Sequence, residues 1–190
     1  MIPNRKNPHD AFTRDEIATG FRKILTLENV LSKEQCETLM QYGEENVVPA
    51  DNKHSKAFAI KVDHCFLPLD HEIHTHFQDA WTKANEFFNF DIEFIEPYEL
   101  KKYPIGGFYS RHIDNYHGMS IPVDRKISMI LQLSDEADYA GGDVQLMFIK
   151  VPKKRGSMTF FPSFYPHEVQ PVLGGTRWSM VSWAWGPYWK

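Results

Sequence analysis

The sequence predicts a mainly β fold of the α+β class, in which N-terminal helices accompany a β-sandwich or jelly roll. From about residue 90 onward, short β-prone runs recur with turn residues between them. This pattern is typical of sandwiches and jelly rolls and not of a parallel α/β sheet. Before residue 90, apolar positions recur at helical spacing in two segments. We therefore expect helices in the first half of the chain and strands in the second.

Size and composition indicate one globular domain. The chain has 190 residues, of which 42% are hydrophobic and 14% aromatic, so it can bury a full core. Residues 1–20 are polar and charged, and we expect them to form a loosely held arm. The domain is then expected over 21–190, with helices mostly within 32–90 and the β core within 91–186.

Charge and cysteine content limit the partners and the compartment. A net charge of −4 gives no reason to expect a nucleic acid or an anionic membrane as a partner. Two cysteines do not make a disulfide framework, so a reducing compartment is the default. Residues 1–20 lack the apolar core of a signal peptide, and no run approaches the roughly 20 apolar residues of a membrane span. We expect a cytoplasmic protein without a membrane segment.

Two helices are predicted between short strands in the first half. Residues 21–30 predict the first strand, and Ser32-Lys33-Glu34-Gln35 has the form of a capping box, which predicts a helix over 33–46. A loop at 49–55 and a strand over 56–67 follow. Asp70 is the expected N-cap of a second helix, whose apolar stripe consists of Ile73, Phe77, Ala80, Trp81, Ala84 and Phe88.

Three histidines stand at the start of this second helix. His71 and His74 are one turn apart, whereas His76 points elsewhere. A cation site is one interpretation, but the spacing favours surface histidines.

Eight strands are predicted in the second half. They lie at about 91–95, 97–103, 107–113, 126–133, 143–150, 156–161, 167–171 and 176–185, with turns at Gly106-Gly107, Gly141-Gly142, Pro152 and Gly174-Gly175. The last strand alternates, so Arg177, Ser179, Val181 and Trp183 share one face. An inward-facing Arg is unfavourable unless an anion matches it. That anion is either an acidic residue of the core or a bound dicarboxylate.

The motif with the clearest chemistry is Arg111-His112-Ile113-Asp114. Residues i and i+2 of a strand point the same way, so His112 and Asp114 converge if they stand at a strand end. His167 can then supply a third ligand. Two imidazoles and one carboxylate are the arrangement expected of a non-haem Fe(II) oxygenase, and Arg177 offers a bidentate clamp for a carboxylate. Because H-x-D is common by chance among nine histidines, the set carries the hypothesis and no single member does.

The segment after Asp114 is a candidate lid. Residues 115–124 include Gly118 and Pro122, and they follow a predicted ligand directly. Loops beside a rigid scaffold commonly carry recognition. His117 is a conceivable fourth ligand, but a position in the lid or at the surface suits it better.

These residues resemble a known family. The matching segments are Tyr103-Pro104, Arg111-His112-Ile113-Asp114-Asn115, Gly141-Gly142-Asp143, His167-Glu168-Val169-Gln170-Pro171 and Arg177. They are similar to the 2-oxoglutarate-dependent prolyl hydroxylases, both the oxygen-sensing animal enzymes and the small microbial and viral ones. Residues 138–142 also resemble the bacterial PKHD-type hydroxylases. The resemblance covers roughly residues 97–185 and implies a double-stranded β-helix (jelly roll) with bracing N-terminal helices.

The resemblance also implies a cofactor, a cosubstrate and residue roles. Fe(II) and 2-oxoglutarate are implied, and ascorbate enters as an accessory factor. The implied metal ligands are His112, Asp114 and His167. The implied cosubstrate contacts are Tyr103, Arg177, Ser179 and Gln132. The implied substrate contacts are Tyr109, Arg125 and Trp183. Gln132 or Leu131 stands where the animal enzymes have a cosubstrate-facing tyrosine. Arg125 fits a solvated loop position equally well.

Several functions remain open. The resemblance implies hydroxylation of a prolyl residue in a peptide or protein, with O2 consumed and succinate and CO2 released. Lysyl, asparaginyl or small-molecule hydroxylation would use the same metal site. A cupin-like isomerase or a zinc hydrolase on a jelly roll gives no joint role to Arg177 and Ser179. A non-catalytic β-sandwich binding module would need no metal ligands.

Overall fold

The structure, a computed structural model, describes residues 24–50, 60–115 and 122–188. The predicted arm over 1–20 lies outside these residues, as do positions 51–55 of the predicted loop. Residues 116–121 of the predicted lid, with His117, lie outside them too.

Helix α1 (Lys33–Asn46) begins where the capping box predicts. The Gln35 N–H donates to Ser32 Oγ at 3.2 Å, and the Ser32 N–H donates to Gln35 Oε1 at 2.9 Å. Both exchanges satisfy amides that the first helical turn leaves free. Cys36, Leu39 and Gly43 form the buried face of the helix, which packs on the larger sheet.

The predicted second helix is divided in two, and its predicted cap is wrong. Helix α2 (Ile73–His76) begins after Glu72, which makes no side-chain cap, and helix α3 (Gln78–Phe88) follows Phe77. Phe77 is fully buried and packs edge-on against Tyr98. Because the apolar stripe runs on across the break, its periodicity does not reveal it. Asn89 ends α3 in the left-handed conformation.

The three histidines near α2 bond to the backbone. His74 Nε2 lies 2.9 Å from the Pro68 carbonyl, and His76 Nε2 lies 3.0 Å from that of Val30. His71 Nδ1 accepts from the Ile73 N–H at 3.2 Å. These contacts tie the start of α2 to its surroundings.

Short strands make up most of the remaining structure. They are β1 (Leu25–Leu27), β2 (Val48–Pro49), β3 (Ile60–Lys61), β4 (Asp63–Phe66), β5 (Phe94–Ile95), β6 (Glu99–Tyr103), β7 (Phe108–His112), β8 (Val123–Gln132), β9 (Tyr139–Gly141), β10 (Val144–Leu146), β11 (Ile149–Lys150), β12 (Met158–Pro162), β13 (His167–Val169), β14 (Val172–Gly175) and β15 (Arg177–Pro187). The sequence did not predict β2, β9 or β14, whose prolines and glycines indicate turns. The predicted strand over 143–150 is a hairpin of β10 and β11.

Two antiparallel sheets enclose the site. In the described part of the chain, the larger sheet has the order β1-β12-β8-β15-β6-β4-β2, with β5 added to β15. The smaller sheet has the order β11-β10-β13-β7-β3, and β14 pairs with β9. One core cluster joins the helices to the larger sheet, and a second lies between the sheets. The predicted mainly β fold, braced by N-terminal helices, is confirmed.

Strand β15 separates the two cores. Trp178, Met180 and Ala184 face the helices, whereas Arg177 and Ser179 face the interior between the sheets. The predicted alternation therefore places Arg177 where a ligand between the sheets can reach it. No helix among the described residues is long and apolar enough to cross a membrane.

Candidate active site

Three side chains converge where β7 ends and β13 begins. His112 is the last residue of β7, and it is the register partner of His167, the first residue of β13. Asp114 follows His112 by two residues. One ligand atom from each residue lies within 4.8 Å of the others, and Asp114 is 3.3 Å from His112 Nε2 and 3.5 Å from His167 Nε2. The structure therefore brings the predicted metal ligands together.

Backbone carbonyls fix the histidine tautomers. His112 Nδ1 lies 2.9 Å from the Ser110 carbonyl oxygen, and His167 Nδ1 lies 3.0 Å from that of Tyr165. A carbonyl oxygen can only accept, so each Nδ1 carries a proton and each Nε2 keeps its lone pair. Each Nε2 lies beside the Asp114 carboxylate, and a histidine protonated at Nδ1 binds a metal ion through its Nε2 lone pair.

Asp114 is held as an ionised carboxylate. Its N–H donates to the Ser163 carbonyl at 2.9 Å, and its Oδ2 accepts from Ser128 Oγ at 2.6 Å. Burial opposes ionisation, but the two imidazoles and the hydrogen bond from Ser128 outweigh it and hold the pKa of Asp114 well below its usual range. Burial also lowers the pKa of His167, against the pull of Asp114. An ionised carboxylate beside two imidazoles that are protonated at Nδ1 fits Fe(II).

Arg177 stands on β15 with incomplete hydrogen bonding. It is 1% exposed, and its guanidinium donates to Gln132 Oε1 at 2.8 Å and to Ser179 Oγ at 3.2 Å. Its Nε and the Nε2 of Gln132 are buried without a partner among the described residues. No carboxylate from those residues pairs with it. A buried cation in this state needs an anion, and one carboxylate of 2-oxoglutarate fits that need.

Two tyrosines flank this guanidinium. The Tyr103 ring lies 5.0 Å from the Arg177 Cζ. Burial raises the pKa of Tyr103 to about 12, against the effect of Arg177, so its hydroxyl stays protonated. Sequence reasoning missed Tyr139, whose buried hydroxyl has no partner in the described part of the chain. Gly142 lies close to both Arg177 and Tyr139.

A cavity of about 430 Å³ connects the metal cluster with Arg177. All the predicted site residues line it except Gln132, which is buried behind Arg177. Glu99 and Lys101 of β6 also line it. Sequence reasoning missed both, although their alternation with Tyr103 places them on the same face.

Arg125 belongs to strand β8 and not to a solvated loop. Its guanidinium forms a bidentate pair with Glu96 at 2.7 and 2.9 Å and stacks 3.7 Å from the Trp183 ring centroid. Trp185 Nε1 donates to the same Glu96 carboxylate. Sequence reasoning missed Glu96. Tyr109 lies deeper, with its ring centroid 4.3 Å from that of His112. The predicted substrate contacts thus share the cavity, and their roles stay proposals.

Comparison with protein families agrees with this donor set. Residues 98–185 match the family model of the 2OG-Fe(II) oxygenase superfamily. This stretch contains every predicted site residue, and it is similar to that superfamily. The family implies Fe(II) and 2-oxoglutarate, and the three side chains that would hold the metal are present.

Curated relatives include PKHD-type hydroxylases. The protein of Idiomarina loihiensis is 30% identical over 89 residues, which are 45% of this chain and 40% of the relative. That of Prochlorococcus marinus is 35% identical over 79 residues, which are 40% and 35% of the two chains. The chain thus matches less than half the length of these relatives.

Solved prolyl hydroxylases share the fold. A viral collagen prolyl hydroxylase from Paramecium Bursaria Chlorella virus-1 aligns with a TM-score of 0.69 at 17% identity, over 86% of this chain and 96% of that one. A Pseudomonas putida prolyl-4-hydroxylase gives 0.69 at 20%, over 87% and 93%. A Trichoplax adhaerens prolyl hydroxylase, solved with a hypoxia inducible factor peptide, gives 0.62 at 16%, over 93% and 94%. The predicted double-stranded β-helix is confirmed, and the fold is prolyl hydroxylase-like.

Proposed function

We propose that the protein is an Fe(II)- and 2-oxoglutarate-dependent dioxygenase that hydroxylates a prolyl residue in a peptide or protein. It would consume O2 and release succinate and CO2. The observation that carries this proposal is that the His112, Asp114 and His167 cluster and the anion-free Arg177 open into one cavity. A metal-binding jelly roll of the cupin type would need the cluster but not the unpaired guanidinium.

The proposed metal-binding and cosubstrate-binding residues lie at two ends of the cavity. His112, Asp114 and His167 would hold the metal from one side and leave its other positions open to the cavity. Arg177 would bind the far carboxylate of 2-oxoglutarate, with Ser179, Gln132 and Tyr103 arranged around the guanidinium. When bound with O2, Fe(II) and 2-oxoglutarate supply the oxidising power for hydroxylating a C–H bond.

Aromatic side chains pack against both histidines of the cluster. The Tyr109 ring packs on His112, and the Phe161 ring lies 4.9 Å from the His167 ring. These contacts cover the imidazole faces and restrict how the rings turn. Rings held in this way would keep their donor atoms in place before substrate arrives.

The proposed prolyl substrate rests on the relatives and on the site. The solved structures are named as prolyl hydroxylases, and one of them is described with a peptide fragment. In this chain, Trp183 presents an aromatic wall beside Arg125. A pyrrolidine ring suits such a wall because it is compact and apolar.

Anaerobic titration tests the metal and cosubstrate part of the proposal. Adding Fe(II) and then 2-oxoglutarate should give a weak visible charge-transfer band that requires both additions. A protein that binds Fe(II) but shows no band and no affinity for 2-oxoglutarate would be a metal protein of another class.

A panel of proline-containing peptides tests the substrate. Incubation with Fe(II), 2-oxoglutarate and O2 should add the mass of one oxygen atom at a proline, as located by mass spectrometry. Oxygen found on another residue, or turnover only with small molecules, would overturn the prolyl assignment and leave the oxygenase chemistry standing. Repeating the reaction with ascorbate added tests its predicted accessory role.

A further inference from the structure

The cavity wall carries an ion pair that neither the metal cluster nor Arg177 uses. Glu99, Lys101 and Tyr103 alternate along β6, and all three line the cavity. Lys101 is 8% exposed, and its Nζ donates to Glu99 Oε1 at 2.6 Å. The same oxygen is hydrogen-bonded to His64 Nδ1. This arrangement anchors the ammonium beside the ligand space.

The ammonium of Lys101 has more N–H donors than acceptors among the described residues. It carries three N–H groups, and within residues 24–50, 60–115 and 122–188 its hydrogen-bond acceptor is Glu99. A buried charge with unused donors is unfavourable unless another acceptor reaches it. Because Lys101 lines the cavity, a ligand there can supply that acceptor.

Strand pairing fixes Lys101 relative to Arg177. Across the β6–β15 ladder, Tyr103 pairs with Arg177, Lys101 with Ser179, and Glu99 with Val181. Lys101 thus stands one step along the sheet from Arg177, and its anchor Glu99 lies one step further. The guanidinium of Arg177 and the ammonium of Lys101 therefore both face the cavity. The bond to Glu99 holds the ammonium on the side away from Arg177.

We infer that Lys101 is a second cationic contact for the cosubstrate and meets its 2-oxo acid end, while Arg177 binds the far carboxylate. Glu99 and His64 act as positioning residues for the ammonium. The inference rests on the proposed function, because it takes 2-oxoglutarate as the ligand. A dicarboxylate matches two separated cations, whereas a monocarboxylate satisfies one.

Glu99 stays ionised although it is buried. Burial opposes ionisation of Glu99, but His64 and Lys101 outweigh it and lower the pKa of Glu99. Glu99 is therefore a carboxylate at neutral pH. It holds one donor of Lys101 and leaves the others for the ligand.

A truncated ligand separates the two cations experimentally. 2-Oxovalerate keeps the 2-oxo acid end of 2-oxoglutarate and lacks the far carboxylate. Anaerobic binding of both ligands to the Fe(II)-loaded protein is followed by the charge-transfer band for the parent, Lys101→Met, Arg177→Met and Lys102→Met. Lys102 is the matched control, because it points outward to Glu44 and lies over Trp178.

The expected pattern differs for each variant. Lys101→Met should weaken both ligands about tenfold, as expected for loss of a charge-assisted hydrogen bond. Arg177→Met should weaken 2-oxoglutarate and leave 2-oxovalerate unchanged, and Lys102→Met should change neither. If Lys101→Met does not fold, Lys101→Gln, which is one atom shorter than lysine but keeps a neutral donor, should show the same pattern with a smaller loss of affinity.

Two results would overturn the inference. Parent-like affinity of Lys101→Met for both ligands would make Lys101 a wall residue only. Weakening of 2-oxoglutarate alone would place Lys101 in the far-carboxylate site. A parent protein that binds neither ligand would instead contradict the proposed function, so the two failures are distinguishable.

Discussion

The surroundings of Arg177 indicate that its buried guanidinium suits an anionic ligand. It is buried with hydrogen bonds to two neutral side chains and with an unused Nε. Removing one partner of a satisfied buried ion pair is strongly destabilising, but among the described residues no carboxylate would lose its partner here. We therefore expect Arg177 to contribute to ligand binding and little to the stability of the ligand-free protein.

We expect Arg177→Met to lower 2-oxoglutarate affinity by roughly one to two decades while the ligand-free protein unfolds at an unchanged or higher temperature. Calorimetric titration and thermal unfolding measure the two effects. Arg155→Met is the matched control, because Arg155 pairs with surface carboxylates such as Asp135 at 3.2 Å. It should affect stability and leave 2-oxoglutarate affinity alone. A large loss of stability in Arg177→Met would show that the guanidinium is structural.

Substitution of a proposed metal ligand should abolish activity, whereas substitution of a histidine outside the cluster should not. Asp114→Ala and His167→Ala should each abolish turnover and weaken Fe(II) binding, with far-ultraviolet circular dichroism unchanged. Each removes one of three donors that lie within 4.8 Å of one another. His74→Ala, which removes a histidine bonded to a backbone carbonyl, should keep full activity. Iron-bound, active Asp114→Ala protein would contradict the proposed ligand set.

At the scale of elements, helix α1 depends on one glycine. A Cβ at Gly43 would lie 2.4 Å from the Trp178 ring, so α1 approaches β15 only without a side chain there. Alanine normally stabilises a helix interior by about 1 kcal/mol relative to glycine. Here we expect Gly43→Ala to destabilise by about 1–2 kcal/mol in urea unfolding, because overpacking outweighs helix propensity.

Gly174 in β14 provides the control for that substitution. Its added Cβ would meet nothing closer than the Ala140 Cβ at 3.8 Å. Gly174→Ala should therefore leave the unfolding free energy nearly unchanged. Equal effects of the two substitutions would show that the Trp178 contact does not limit α1.

Strand β6 should give the protein a measurable acid sensitivity. The pKa of Glu99 is lowered in the folded state, so ionisation of Glu99 contributes stability above its unfolded pKa, and that contribution is lost as pH falls through the folded value. Glu99→Gln should destabilise at pH 7, and the difference from the parent should shrink as pH falls below about 4.5. A difference independent of pH would mean that shape, and not charge, matters at this position.

Elements with strong local signals were predictable from the sequence. The capping box placed the start of α1, and alternation placed Arg177 and Ser179 inside. The break at Phe77 was not predictable, because tertiary packing of one ring interrupts a stripe that continues across it. Strands β9 and β14 were missed because their glycines favour turns locally, and only pairing between distant segments makes them strands.

The convergence of the proposed metal ligands was predictable for a related reason. His112 and Asp114 lie close in sequence, so strand geometry alone brings them together. The contacts that complete the site come from other segments of the chain: Ser128 of β8 bonds to Asp114, and Glu96, which follows β5, bonds to Arg125. Their positions depend on register between strands far apart in sequence, which the pattern of residues does not encode. The cytoplasmic location and the lack of a nucleic-acid partner stay predictions.

For the whole molecule, ligand binding and folding should be coupled. A ligand that binds only the folded state adds about 2.7 kcal/mol at a concentration 100 times its Kd. Anaerobic Fe(II) with 2-oxoglutarate should therefore raise the unfolding temperature by several degrees. Glutarate, which lacks the 2-oxo group, should raise it less. An equal shift with glutarate in the absence of metal would indicate binding at Arg177 alone.

As far as the bulge after Ala184, odd-numbered and even-numbered residues of β15 lie on opposite faces, which is useful for engineering. Even-numbered positions such as Trp178, Met180 and Ala184 belong to the core beneath the helices, whereas Arg177, Ser179 and Trp183 belong to the cavity. Libraries that vary only the even-numbered positions would thus change thermal stability, and libraries that vary only the odd-numbered positions would change ligand preference. Deleting one residue between β14 and β15 would exchange the parities, push a guanidinium under the helices and place an indole in the cavity. Such a deletion should yield aggregated protein and not an inactive folded one.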